Sequence, residues 1–171
     1  MGGHITMDSV YGEGTAAHVM LPFKLKPDCD AVPSPNLVDG EMPSRILRVL
    51  LAEDEPSNAF AIKNLLQKCG HDVTVVENGK KALEQLEQSD FDLILMDIQM
   101  PVMNGIEATR AIRSSDKLGP KKNIPIIAMT SYAMSGDREK FLASGFDGYL
   151  GKPFKLQDLR QALKKHIPGL G

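Results

Sequence analysis

Cysteine is scarce in this sequence: only Cys29 and Cys69 occur among 171 residues. So sparse a pair forms neither a metal-ligand cluster nor a disulfide framework, which excludes the disulfide-stapled folds and fits a reducing cytoplasm. Charge of one sign is missing as well. The 20 Lys and Arg against 22 Asp and Glu leave a formal net charge of −2. With no basic stripe, nothing marks a nucleic-acid partner. No apolar stretch has the length of a membrane span, and no signal peptide opens the chain. The expectation is a cytoplasmic location without direct membrane contact, any membrane anchor belonging to another part of a larger protein.

What is present is ordinary globular material. An apolar content of 42% and a charged content of 25% suffice, at this length, for one well-packed domain plus something smaller. Residues 46–168 alternate short apolar runs with helical patterns. The runs are Ile46–Ala52, Val73–Val76, Phe91–Met96, Ile124–Met129 and Gly148–Leu150. Helical spacing follows each, over Pro56–Cys69, Lys80–Glu87, Ile106–Arg113, Met134–Ser144 and Leu156–His166. Five β-α units of this size predict an α/β fold, a parallel sheet covered on both faces by helices in right-handed crossovers. Residues 24–45 hold Pro27, Pro33, Pro35 and Pro43 without sustained periodicity, the composition of a linker. Residues 1–23 read as two strands around Gly12-Glu13-Gly14. A lone hairpin is marginal in water, so this piece belongs to something larger.

The stretch "LILMDIQMPVMNG", residues 93–105, sets a carboxylate at the end of a run buried on both faces. Ligands of doubly wound sheets bind beyond the carboxyl ends of the strands. At that rim the first strand presents Glu53-Asp54, the third Asp97, the fourth Thr130 and the fifth Lys152. Taken singly, these are caps and surface charges; together they are a constellation. Clustered carboxylates repel one another and call for a cation. An all-oxygen set suits Mg²⁺, which keeps waters and accepts phosphate oxygens. A carboxylate beside such a metal can attack phosphorus and form an aspartyl phosphate. Asp97, alone on the central strand, is the candidate nucleophile, with Glu53 and Asp54 as metal ligands. Lys152 and the Thr130 hydroxyl would neutralise charge on the phosphoryl oxygens.

"LLAEDEPSN", "ENGKKAL", "LILMDIQMPVMNGIEATRAIR", "IIAMTSYA" and "GFDGYLGKPF" occur in an order and spacing that resemble the receiver domain of two-component signalling. The resemblance implies a flavodoxin-like, doubly wound five-stranded parallel sheet of order 2-1-3-4-5. It implies phosphorylation of Asp97 and Mg²⁺ held by Asp54, Asp97 and the backbone carbonyl of Gln99, with Glu53 acting through the metal's water shell. Glu53 stands where the family often has Asp, a departure that bears on metal affinity. Thr130 and Tyr149 match the hydroxyl and aromatic switch positions, and Lys152-Pro153 matches a peptide bond that is usually cis. Residues 1–23 are similar to the C-terminal end of a histidine kinase ATP-binding domain, Gly12 and Gly14 matching its last glycine box. That order is that of a hybrid sensor histidine kinase. The implied partners are a histidine kinase core, a histidine-containing phosphotransfer protein, or both.

This chain lacks the rest of an ATP site, and none of its four histidines lies in a phosphoacceptor helix, so a working kinase is not expected from it. Two other functions share features with a phospho-accepting switch. A phosphohydrolase or phosphotransferase with an aspartyl intermediate often carries a second acid two residues after the nucleophile, where this sequence has Gln99. A flavodoxin-like cofactor binder needs a phosphate-cradling loop after the first strand, where Glu53-Asp54-Glu55 would repel a phosphate.

Overall fold

The structure, a computed structural model, describes residues 4–10, 14–20, 45–131 and 141–167. The chain divides into two units, Met1–Asp39 and Gly40–Gly171. In the first, β1 (His4–Val10) pairs antiparallel with β2 (Gly14–Met20), Ile5 opposite Val19 and Met7 opposite Ala17. Strand alternation puts these four on one face of the hairpin, and Ile5, Met7 and Val19 are exposed. The other face carries the Asp8–His18 pair. The expected turn at Gly12-Glu13 lies outside the described residues, as does the linker 24–45 except for Arg45. The Arg45 guanidinium meets the Asp92 carboxylate.

The second unit is the β-α alternation expected. Its strands are β3 (Arg48–Ala52), β4 (Asp72–Val76), β5 (Leu93–Asp97), β6 (Ile126–Thr130) and β7 (Gly148–Gly151). Its helices are α1 (Pro56–Lys68), α2 (Gly79–Gln88), α3 (Gly105–Ser114) and α4 (Leu156–His166), with a 3-10 turn at Gly119–Asn123. All strands are parallel in the order β4-β3-β5-β6-β7, which is 2-1-3-4-5 when only this sheet is counted. The expected helix Met134–Ser144 falls mostly outside the described residues; 141–143 are helical.

The central strands β5 and β6 are buried throughout, because successive side chains serve opposite faces and both faces are covered. Leu50, Ile94, Met96, Ile126 and Ala128 pack with Ala82 and Leu86 of α2 and Ala108 and Ile112 of α3. Val49, Leu51, Leu93, Leu95, Ile127 and Met129 pack with Ile62 and Leu66 of α1 and Leu159 and Leu163 of α4. The apolar runs overstate some strands. Ile46 precedes β3 and is exposed, and Ile124 ends the 3-10 turn. Hydrophobic runs report burial, whereas strand ends are fixed by ladder hydrogen bonds.

Helix ends follow local chemistry. Glu55, not the Glu53-Asp54 pair, caps α1, its side chain accepting from the Ser57 N–H with Pro56 in the first turn. Asn78 caps α2. Asn104 and Glu107 form a reciprocal capping box on α3, at 2.9 and 3.1 Å. Gly70, at φ 81°, follows the C-cap of α1 and donates to the Gln67 carbonyl.

His71 is buried at the far end of the sheet, where its Nδ1 accepts from the Leu47 N–H at 3.4 Å. Burial holds its pKa below the ordinary 6.5. A histidine kept neutral by the fold contributes stability that is complete above the unfolded value. That stability is lost as pH falls from about 6.5 through the folded pKa. Burial lowers His166 in the same direction. Denaturant midpoints are therefore expected to fall between pH 7 and pH 5, and His71→Gln to flatten part of that slope. An unchanged slope in the variant would locate the dependence elsewhere.

Candidate functional site

The chain leaves β3 for β4 on one side and enters β5 on the other, so a crevice opens beyond the carboxyl ends of β3 and β5. The acidic residues stand there. Glu53 immediately follows β3, its N–H donating to the Val76 carbonyl at 2.9 Å. Asp54 comes next and is exposed, while Glu53 is only 3% and Asp97 only 8% exposed. Asp97 is the last residue of β5. One carboxylate oxygen from each of Glu53, Asp54 and Asp97 lies within 4.8 Å of the others.

Lys152, just beyond β7, reaches into this group. Its Nζ donates to Glu53 Oε2 at 2.6 Å and to Asp97 Oδ2 at 2.8 Å. Burial by itself would lower the ammonium's pKa, but the hydrogen bonds and charges of Asp97 and Glu53 outweigh it and raise the value. Lys152 is thus an ordered counter-charge bridging two of the three acids, not a solvated surface lysine. Its backbone N–H donates to the Thr130 carbonyl at 2.7 Å, which ties the ends of β6 and β7 together. The Lys152-Pro153 bond is cis.

Thr130 ends β6 and is buried. Tyr149 lies on β7 in register with Ala128 and is 43% exposed, so its ring is on the solvent side. The Gln99 N–H points at Asp97 Oδ1 at 3.4 Å, a long contact. Between Asp97 and α3 the backbone is tight. The Gly105 N–H donates to the Ile98 carbonyl at 3.0 Å, and a Cβ on Gly105 would sit 2.1 Å from the Asp97 carbonyl oxygen. Only glycine permits that approach.

The fold therefore brings Glu53, Asp54, Asp97 and Lys152 into one cluster, with Thr130 on the adjoining strand end and Tyr149 on the outer surface. It also supplies a residue to which the sequence reading assigned no role. Asn58, in the first turn of α1, donates from Nδ2 to Glu53 Oε1 at 3.1 Å. An amide one helical turn past an acidic pair was the available signal. The donor set suits a small hard cation: all oxygen, two carboxylates buried and one open to solvent, with room for waters on the exposed side.

A five-stranded doubly wound sheet with an acid cluster and a lysine at its switch point has the donors that a small cation and a phosphoryl group would need. The family model for the response regulator receiver domain matches residues 49–164, and the chain belongs to that family. It is a receiver domain of two-component signalling. Hybrid signal transduction histidine kinase I of Dictyostelium discoideum is 46% identical over 125 residues, covering 70% of this chain and 7% of that protein. The autoinducer 2 sensor kinase/phosphatase LuxQ of Vibrio vulnificus is 39% identical over 162 residues, covering 94% of this chain and 18% of that protein. The chain spans less than a fifth of the length of these curated relatives. Among solved structures, the receiver domain of sensor histidine kinase PA1611 from Pseudomonas aeruginosa, described with magnesium in its active-site cleft, is similar at a TM-score of 0.65 and 40% identity. The match covers 72% of this chain and 98% of that one.

Proposed function

We propose that this domain accepts a phosphoryl group from a phosphohistidine onto the Asp97 carboxylate. The observation that carries this is the Lys152 ammonium seated between Asp97 and Glu53, with Asp54 beside them at the switch point. A carboxylate oxygen of Asp97 attacks phosphorus, the P–N bond breaks, and the electron pair returns to the donor's imidazole. Lys152 balances charge on the transferring oxygens, and the hydroxyl of Thr130, a buried residue, would donate to one of them. Asp54, Asp97 and the backbone carbonyl of Gln99 would hold Mg²⁺, with Glu53 acting through its water shell. The bound metal would supply further neutralisation of the phosphoryl charge. The domain takes up and loses this group itself and is not a kinase.

Phosphorylation adds charge and acceptor oxygens at the rim. Drawing Thr130 inward vacates space for the Tyr149 ring, so the face formed by β7 and α4 would carry the signal. The phosphoryl group biases that change only by its differential contacts with the two states. Residues 1–23 are read as the end of a kinase ATP-binding domain, residues 24–45 as a linker and residues 46–168 as the receiver. The likeness to LuxQ over 94% of this chain supports that order, as does the hairpin's open apolar face. The proposed donors are a histidine kinase core and a histidine-containing phosphotransfer protein. A cytoplasmic location accords with the absence, among the described residues, of any helix long and apolar enough to cross a membrane.

The test is phosphotransfer from a phosphorylated histidine protein with and without Mg²⁺. The expected product is an acyl phosphate, labile to hydroxylamine, that mass spectrometry assigns to Asp97. Label on a histidine, or none with Mg²⁺ present, would overturn the reading. A separate expectation concerns the metal. A ligand that binds only the native state at a hundredfold excess over its Kd stabilises by about 2.7 kcal/mol. Saturating Mg²⁺ should raise the melting temperature, and Asp54→Ala should remove most of that rise. Equal melts for the unmutated chain would remove the metal assignment.

A further inference from the structure

We infer that Asn58 is a positioning residue for the acceptor site, holding Glu53 so that Glu53 in turn holds Lys152 over Asp97. This rests on the reading of Asp97 and its neighbours as the phosphoryl site. Glu53 is 3% exposed, and each of its carboxylate oxygens has a different donor: Lys152 Nζ on Oε2 at 2.6 Å, Asn58 Nδ2 on Oε1 at 3.1 Å. A buried carboxylate oxygen left without a donor is costly. A glutamate also has one more torsion to fix than an aspartate. With only Lys152 as anchor, the carboxylate could turn about that single contact and take the ammonium with it. With Asn58 as second anchor, the chain Asn58–Glu53–Lys152–Asp97 is fixed at both ends.

The backbone leaves this role to the side chains. Glu53 is tied at its N–H to Val76, and Asn58 is carried on the first turn of α1, whose start is set by Glu55 and Pro56. An aspartate at position 53, one methylene shorter, could not meet an amide that Glu53 reaches at 3.1 Å. The structure thus couples the identity of residue 53 to that of residue 58. Asn58 touches neither the acceptor carboxylate nor, in the proposed metal site, the cation. It acts through Glu53.

The coupling is tested by a double-mutant cycle on the full chain: unmutated protein, Asn58→Ala, Glu53→Asp and the double variant. The readouts are Mg²⁺ binding alone and beryllofluoride uptake at saturating Mg²⁺, each by calorimetry. Asn58→Ala should weaken beryllofluoride uptake about tenfold, the scale of one hydrogen bond to a charged group. The metal-free variant should melt somewhat below the unmutated protein, because Glu53 Oε1 loses its donor while the helix preference of alanine returns only part of the loss. In the Glu53→Asp background the same change should have no further effect. As an independent readout without metal, Glu53→Asp should move the Asn58 side-chain amide resonances in a nitrogen–proton correlation spectrum. Equal uptake by Asn58→Ala and unmutated protein would overturn the inference while leaving the site reading intact. A tenfold loss that persists in the Glu53→Asp background would overturn it too. If the unmutated chain takes up neither probe, the site reading falls, and this inference with it.

Discussion

Asp97→Asn is expected to abolish phosphoryl uptake while leaving the metal-free fold near its original stability. The first half follows from chemistry: a carboxamide oxygen is a poor nucleophile toward phosphorus, and no other carboxylate ends a central strand. The second half is a balance of charges. At an effective dielectric of 20, Asp97 gains about 6 kcal/mol from an ammonium 2.8 Å away. It loses about 7 kcal/mol or more to two carboxylates, each with an oxygen no farther than 4.8 Å from one of its own. These nearly cancel, so melts without Mg²⁺ should differ by about 1 kcal/mol or less, while the stabilisation added by Mg²⁺ should largely disappear. Lys152→Ala is the instructive contrast. It leaves the acids without their counter-charge, and removing one partner of a buried ion pair costs about 3 kcal/mol or more. The partial exposure of this crevice brings the expected loss to about 2 kcal/mol, part of which Mg²⁺ should restore. If Asp97→Asn still carried label from a phosphohistidine donor, Asp97 would not be the acceptor. If it lost several kcal/mol without metal, Lys152 would be holding the fold together more than serving the site.

Gly105→Ala should be the most destabilising single methyl in the domain. The added Cβ would lie 2.1 Å from the Asp97 carbonyl oxygen and 3.0 Å from the Asp97 carbonyl carbon. Backbone cannot yield as a side-chain tip does, so either β5 or the start of α3 must move. Overpacking typically costs about 1–3 kcal/mol, and a clash with backbone puts this case at the upper end, about 3 kcal/mol. The displaced segment carries Asp97, so Mg²⁺ affinity should fall as well. Gly119→Ala is the control: at φ 53° it meets nothing within 4 Å, and should cost only about 1 kcal/mol for the left-handed backbone. Urea midpoints for the two variants separate contact from conformation. A Gly105→Ala loss no greater than that of Gly119→Ala would mean that α3 does not press on the Asp97 carbonyl.

The sequence by itself determined the β-α alternation of the described residues and which side chains share the carboxyl rim of the sheet. Five apolar runs alternating with helical periodicity leave few arrangements for so short a chain, because strands joined through helices run parallel and their crossovers take one hand. The residues at the carboxyl ends of those runs were then bound to share a rim, and Glu53, Asp54, Asp97, Thr130 and Lys152 do. Asn78 and Asn104 cap α2 and α3 through the N–H groups three residues on, an interaction that depends on near neighbours alone. Tertiary structure decided what depends on approach between distant segments. Lys152 was legible as a member of the rim, but its position between Glu53 and Asp97 is set by residues 99 and 55 positions away. Burial of both acids turns it from a surface charge into their counter-ion. The need for glycine at 105 comes from the packing of α3 onto the end of β5, which would put any Cβ there 2.1 Å from the Asp97 carbonyl oxygen. Asn58 offered only its place one turn past an acidic pair, and an exposed amide on a helix gains a role only when the fold sets a buried carboxylate beside it. Local pattern fixes what each segment is; only the closing of the sheet fixes which charges must share the same few ångströms.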